Sequence, residues 1–348
     1  MAVSESTLIT PANFADNLCR WDADAKGHFE VWFLTLNDPA SKLGLWFRYT
    51  LRIPLDSTDN PRASMWAAVF RPSSPQLNFG IRREYPIDQF SFEGEKKFKL
   101  NISDSFFSPS RAAGSVENDQ HSVRWNLSFT PSQKTYNHIS PGVRLLARPS
   151  TFVCSPNLDV RFHGTVEVDG KTFYLDDAPG CQLHLWGRKQ VDEWVWAHAN
   201  AFENHPGSVF ECLAARPRFA GITLPPIQSL FLRHRGEEHH LIRLRFKEQW
   251  RRHLGIGVWS FSAMNTKVYI EGTAQGRLRD MLQVHYLDPD GESLYCLNTE
   301  VANLKLRIFR RDHGIHWRHL ETIKARSTAH LEHASRSMDS SVKMAFED

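Results

Sequence analysis

The chain has 348 residues, of which 41% are hydrophobic, 23% charged and 12% aromatic, a soluble globular composition long enough for about two domains. Its 42 basic and 39 acidic residues leave a formal charge of +3, so no polyanionic partner is implied, and the basic runs Arg243–Lys247, Trp250–His253 and Arg307–Arg311 form no recognisable nucleic-acid-binding module. Five widely spaced cysteines (Cys19, Cys154, Cys181, Cys212, Cys296) with no CxxC suggest neither a disulfide scaffold nor a zinc ribbon.

Period-two alternation dominates and helical patterns are scarce, which predicts an all-β protein. The first segment, GHFEVWFLTL, puts His28, Glu30, Trp32 and Leu34 on one strand face. After Asn37, Asp38 and Pro39, LGLWFRYTLRI puts Trp46, Arg48 and Thr50 on one face. A hairpin centred near Pro39 sets Glu30 beside Arg48 and Trp32 beside Trp46. If that charged pair is buried it has to be ionised and hydrogen bonded together. Ser64–Phe70 reads as the third strand, residues 72–114 as long connections, and His121–Phe129 as a later strand. Val168-Asp169-Gly170-Lys171 marks a tight hairpin turn.

The run Cys181–Asn200, CQLHLWGRKQVDEWVWAHAN, reads as two alternating strands. Gln182, His184 and Trp186 share one side of the first; Trp194, Trp196, His198 and Asn200 share one side of the second. Paired antiparallel with His184 opposite Trp196 and Gln182 opposite His198, they form one aromatic surface with few polar groups, the usual lining of a small-molecule site. An odd register would split the set between two faces. After Gly207 alternation resumes, with turns at Gly236 and at Asp288-Pro289-Asp290-Gly291. Two antiparallel β-barrels or sandwiches in tandem, residues 1–205 and 206–348, are the economical arrangement; a single large sandwich is the alternative.

GHFEVWFLTLND with GLWFRYTL, then HGTVEVDGKTFYL, then HLWG followed by WVWAHANAF together resemble the two-domain lipocalin-like (calycin) proteins. These include the AttH group, carotenoid 1,2-hydratases, tocopherol cyclases and some fungal Diels–Alderases. The resemblance spans most of residues 20–335. It implies two tandem lipocalin-like β-barrels, a hydrophobic site near the domain junction, and chemistry on terpenoid or polyene-like molecules. His184 and Trp186 match the family's H-x-W-G element, and Trp194 and Trp196 match its later aromatic strand. Where the hydratases carry an acidic residue near these aromatics, this chain has His198 and Asn200.

An alkene-handling pocket needs a proton donor, an aromatic wall for developing positive charge, and exclusion of water. His184 or His198 is the candidate donor, with Trp186, Trp194 and Trp196 as the wall. Trp46, Gln182 and Asn200 are further contacts, and Glu30 and Arg48 orient a polar end or simply tie two strands together. The bland alternatives are a hydrogen-bonded core histidine for His184 and ordinary packing for the tryptophans. HExxH, GxSxG, GxGxxG and a P-loop are absent, and His184 with His198 would offer a metal only two ligands, so no metal or cofactor is expected. The expected partner is a hydrophobic small molecule, with no nucleic acid and no transmembrane segment. The absence of a basic segment followed by an apolar one at the N-terminus leads to a cytoplasmic expectation. The leading reading is a cofactor-independent isomerase, cyclase or hydratase; the others are a lipid or terpenoid carrier and a sugar-binding β-sandwich with exposed tryptophans.

Overall fold

A computed structural model of the protein describes residues 9–11, 14–94, 98–139, 150–219, 222–223, 225–244, 254–312 and 316–346. The basic run Trp250–His253 and most of Arg243–Lys247 lie outside the described residues. Within them the chain is antiparallel β-structure with a few 3₁₀ turns, and no helix is long and apolar enough to cross a membrane.

The strands form two large sheets. The first runs in space through Phe79–Pro86, Arg62–Phe70, Leu43–Ile53, His28–Asp38, Lys171–Gly187, Thr151–Val168, Ser122–Phe129 and Arg111–Glu117, then through two short strands, Ser105–Ser108 and Lys99–Ile102, to Phe90–Glu93. Its far end curls back, so that Arg111–Glu117 touches Arg62–Phe70 and Phe79–Pro86, and the sheet closes on itself. The second runs from Glu237–Leu244 through Ile227–His234, Val209–Ala215, Glu193–Ala199, Trp317–Ser335, Ser293–Arg311 and Val268–Gln275 to Val258–Met264 and Leu254–Gly255. The molecule is therefore two β-barrel units in tandem. The stretch 72–114, expected to be long connections, holds short strands that complete the first barrel.

The chain leaves the first sheet at Gly187 and enters the second at Glu193. The strand Glu193–Ala199, which a division at residue 205 assigns to the N-terminal unit, is hydrogen bonded into the second sheet between Val209–Ala215 and Trp317–Ser335. The hairpin expected over Cys181–Asn200 does not form. Lys171–Gly187 pairs instead with Thr151–Val168 and His28–Asp38, so no register places His184 opposite Trp196.

Alternation explains what each barrel keeps inside. Trp32, Leu34 and Leu36 fill the first barrel with Tyr49, Trp125 and Phe162; Val195, Ala197 and Ala199 fill the second with Phe210, Trp259 and Leu331. The opposite faces of the same strands meet at the junction. There Val31, Phe33, Trp46, Trp66, Cys181 and Leu183 of the first barrel pack against Trp194, Trp196, Tyr286 and Leu294 of the second.

The hairpin His28–Asp38/Leu43–Ile53 forms, but in another register. Trp32 faces Tyr49, Phe33 faces Arg48, Thr35 faces Trp46 and Glu30 faces Leu51. The turn lies between Asp38 and Leu43 because the Asp38 carboxylate accepts from the Ala40 and Ser41 N–H groups, at 3.2 and 3.1 Å, and Lys42 takes a positive φ of 56°. The register is odd, so Glu30 and Arg48 lie on opposite faces and the expected ion pair is absent.

Candidate active site between the barrels

A cavity of about 130 Å³ lies at the junction, close in size to an engineered cavity that takes one benzene ring. Val31, Phe33, Trp46 and Arg48 line it from the first barrel together with Val153, Leu183 and Leu185. Trp194, Trp196, Leu213, Tyr286 and Glu332 line it from the second, with His138 and Ser229 among its few other polar groups. The odd-numbered face of Lys171–Gly187 borders this space; the face bearing Gln182, His184 and Trp186 does not.

Arg48 is held among aromatic rings. Its guanidinium carbon lies 4.2 Å from the centroid of Tyr286, 5.0 Å from that of Trp66 and 5.9 Å from that of Trp46. Its Nε donates to Thr50 Oγ1 at 2.9 Å. Each ring contact contributes about 0.5–2 kcal/mol once desolvated, which is how a permanently charged group stays 7% exposed. These rings are engaged with a cation already, so the aromatic surface left to a ligand is that of Phe33, Trp194 and Trp196.

Glu332 is the cavity's acid. It sits directly across the strand pair from Trp196 and therefore on the same face, and its Oε1 accepts from Asn298 Nδ2 at 3.1 Å. Burial, reinforced by the Glu300 carboxylate, pushes its carboxyl up to about 8, against the opposing pull of Arg48 and a hydrogen bond with Trp194. At neutral pH it is a protonated carboxylic acid inside an apolar chamber. An acidic residue thus stands beside Trp196, on a strand 136 positions later in the sequence (332 against 196).

Three nitrogens on cavity-lining side chains have no hydrogen-bond partner among the described residues: the indole Nε1 of Trp46, that of Trp196, and Nδ1 of His138. His138 Nε2 lies 2.9 Å from Glu211 Oε1. With Nε2 donating to that carboxylate, Nδ1 is left as an acceptor. Two donors and one acceptor therefore stand unused around an apolar space, which suits a ligand carrying an oxygen function.

Of the sequence-derived candidates, Trp46, Arg48, Trp194 and Trp196 come together here. The others do not. His184 faces into the first barrel, stacked on Trp32 at 4.8 Å, with Nδ1 2.7 Å from the Asp16 carbonyl and Nε2 2.9 Å from Glu30 Oε1. Both ring nitrogens are occupied. Glu30 accepts from the Arg20 N–H at 2.8 Å and the Trp21 N–H at 3.1 Å, and His28 Nε2 lies 3.0 Å away. Burial alone would raise its pKa, but the hydrogen bonds with His184 and His28 outweigh that and hold it near 2. Trp186 lies outside the cavity, sandwiched by Phe152 at 5.4 Å and Arg20 at 5.2 Å.

Gln182 is saturated by Asn17, Asn157 and the Leu183 carbonyl. Asn200 ties the second barrel to the first through Asp159 Oδ1 and the Gly180 carbonyl, both at 2.9 Å. His198 is fully buried beside the cavity, its Nε2 2.9 Å from the Leu158 carbonyl, and burial lowers its pKa to about 4. One surface carrying both His184 and His198 is therefore overturned. Trp194 and Trp196 are 8% and 3% exposed, not the open flat face a sugar-binding module requires.

Fold and site together define a lipocalin-like double barrel with an apolar cavity set between its two units. The chain belongs to the tocopherol cyclase-like family, whose profile matches residues 97–334. It is 26% identical over 327 residues to uncharacterized proteins of two Mycobacterium tuberculosis strains, covering 88% of this chain and 87% of theirs. Among solved structures it is similar to an AttH-like protein of Nitrosomonas europaea, with a TM-score of 0.51 and 13% identity over 88% of this chain and 92% of that one. Kievitone hydratase of Nectria haematococca aligns at a TM-score of 0.49 and 8% identity, over 94% and 95% of the two chains.

Proposed function

We propose that the protein is a cofactor-independent cyclase or hydratase acting on the alkene of a hydrophobic, terpenoid or polyene-like molecule that carries an oxygen function. The observation that carries this reading is Glu332, a buried carboxyl set across the strand pair from Trp196 in an aromatic cavity, where burial raises its pKa above the usual carboxylate range. Glu332 donates its proton to one alkene carbon, and the electron pair of the double bond forms the new C–H bond. The faces of Trp194, Trp196 and Phe33 stabilise the carbocation that results, while Arg48 stabilises the carboxylate left on Glu332. A hydroxyl of the substrate, or a water molecule, then adds to the cation. Its proton returns to the Glu332 carboxylate, so the acid is regenerated and no oxidant or reductant is needed. Where water adds, His138 Nδ1 accepts from one of its O–H groups while the other proton goes to Glu332, and the indole N–H groups of Trp46 and Trp196 donate to the substrate's oxygen function. Membership of a cyclase-like family supports the reaction class; the cavity supports an apolar ring-sized reacting group.

The test is native mass spectrometry for a co-purifying hydrophobic molecule, followed by turnover of that molecule or of a prenylated phenol. Glu332→Gln is expected to lower kcat by about 100-fold or more, the usual worth of a positioned acid, while still binding the ligand. Turnover by Glu332→Gln within about threefold of wild type would sink the mechanism. A ligand that binds and is always recovered unchanged would make the protein a carrier.

A further inference from the structure

Beside the cavity, three strands bring together a soft, a borderline and a hard ligand type. Cys181, His198 and Glu211 each present one ligand atom within 4.8 Å of the other two, and all three residues are 0% exposed.

Their hydrogen bonds leave ligand atoms unused. His198 Nε2 donates to the Leu158 carbonyl at 2.9 Å, which fixes the tautomer, and Nδ1 has no partner. Glu211 Oε1 takes both His138 Nε2 at 2.9 Å and Ser155 Oγ at 2.7 Å, and Oε2 has no partner. An imidazole lone pair and a carboxylate oxygen buried without partners each carry an uncompensated desolvation cost, which a bound cation would remove. His198 and Glu211 are also oriented from behind, by the Leu158 carbonyl and by the Ser155 hydroxyl and His138 respectively, as the outer shell of a metal site is built.

We propose that Cys181 Sγ, His198 Nδ1 and Glu211 Oε2 bind one divalent transition-metal ion, best matched by Zn²⁺. A thiolate, a neutral imidazole and a carboxylate around a dication sum to zero charge, which suits a site removed from water. Binding releases the thiol proton of Cys181, as metal sites of this type do. Sulfur and nitrogen donors select against Mg²⁺ and Ca²⁺. Tetrahedral bonds of about 2.0–2.3 Å space ligand atoms about 3.3–3.8 Å apart, so closing the triangle needs side-chain shifts of about 1 Å. Three protein ligands leave one coordination position open.

A second cluster, His205, His234 and Glu321, lacks these unused atoms. Both Glu321 oxygens are engaged, by His234 at 2.7 Å and Arg235 at 2.8 Å, and His234 Nδ1 lies 2.9 Å from Ser208 Oγ. It also holds no sulfur, which lets an experiment tell the two apart. The metal site does not depend on the acid–base reading of the cavity.

The full chain, purified without a polyhistidine tag, would be assayed for metal content and then titrated with Co²⁺ after chelation. About one ion per chain and a near-ultraviolet thiolate-to-cobalt charge-transfer band are expected, the band lost in Cys181→Ala and kept in Cys296→Ala. Stoichiometry below about one-tenth after reconstitution, cobalt binding without a thiolate band, or a band that survives in Cys181→Ala would each overturn the site. Should Cys181→Ala fail to fold, the wild-type spectrum decides alone, since a chain without a thiolate band is already a negative result.

Discussion

Two buried glutamates show at the residue scale how surroundings assign opposite roles to one side-chain type. Glu30 is surrounded by donors and held near 2; Glu332, beside another carboxylate and mostly apolar groups, is raised to about 8. Glu30 thus contributes stability above its unfolded pKa of about 4.5, lost as pH falls from there toward 2. Removing it strands His184 and two backbone N–H groups, so Glu30→Ala should lower stability by about 3–5 kcal/mol in urea unfolding at pH 7. For Glu332 the sign reverses. Between about pH 4.5 and 8 the unfolded chain has lost the proton that the folded chain keeps, so this residue's contribution falls as pH rises. Glu332→Gln should therefore gain stability over wild type, by about 3–4 kcal/mol more at pH 8 than at pH 5. Activity should show the same group as a descending limb near pH 8, because only the protonated acid can donate.

At the scale of the element, alternation was legible and pairing was not. Faces read from the sequence, with His28, Glu30, Trp32 and Leu34 together and Trp46, Arg48 and Thr50 together, hold in the structure. The partners assigned across the turn failed, because the Asp38 turn shifted the register to an odd sum. Asp38 is an Asx-turn residue and was the available signal. Long strands also depend on irregularities that no alternation pattern announces. Thr151–Val168 shifts register between Phe162 and Gly164, where Gly164 has φ of +131° and a Cβ would lie 2.1 Å from the Asn126 carbonyl oxygen. Both the conformation and the close approach require glycine. Gly164→Ala is expected to destabilise by about 2–4 kcal/mol, measured by thermal unfolding; an unchanged melting temperature would show that the bulge relaxes freely.

For the whole molecule, the outward faces of two barrels make one shared core. Phe33 meets Trp196 edge-on at 5.9 Å, and Trp66 packs against Tyr286 and against Phe346 near the C-terminus, at 5.9 and 5.0 Å. Separated barrels would expose Phe33, Trp46, Trp66, Trp194 and Trp196 together, a larger apolar patch than monomers tolerate. Calorimetry of the intact chain should accordingly give one cooperative transition, and the fragments 1–190 and 191–348 should be insoluble when expressed alone. Two well-separated transitions would mean that the junction is too weak to hold a preformed site.

Composition and period-two patterning by themselves determined an all-β chain, its strand faces and, with the family resemblance, two barrels with aromatic residues near their junction. Those features are local: each follows from which neighbours alternate along one strand. The tertiary structure decided which strands become neighbours. It put His184 inside one barrel and Trp196 outside the other, and brought Glu332, His138 and Tyr286 to the cavity from distant parts of the chain. Sequence separation carries no distance in a folded sheet, so a carboxyl supplied across a strand pair leaves no mark beside the aromatic residue that it faces.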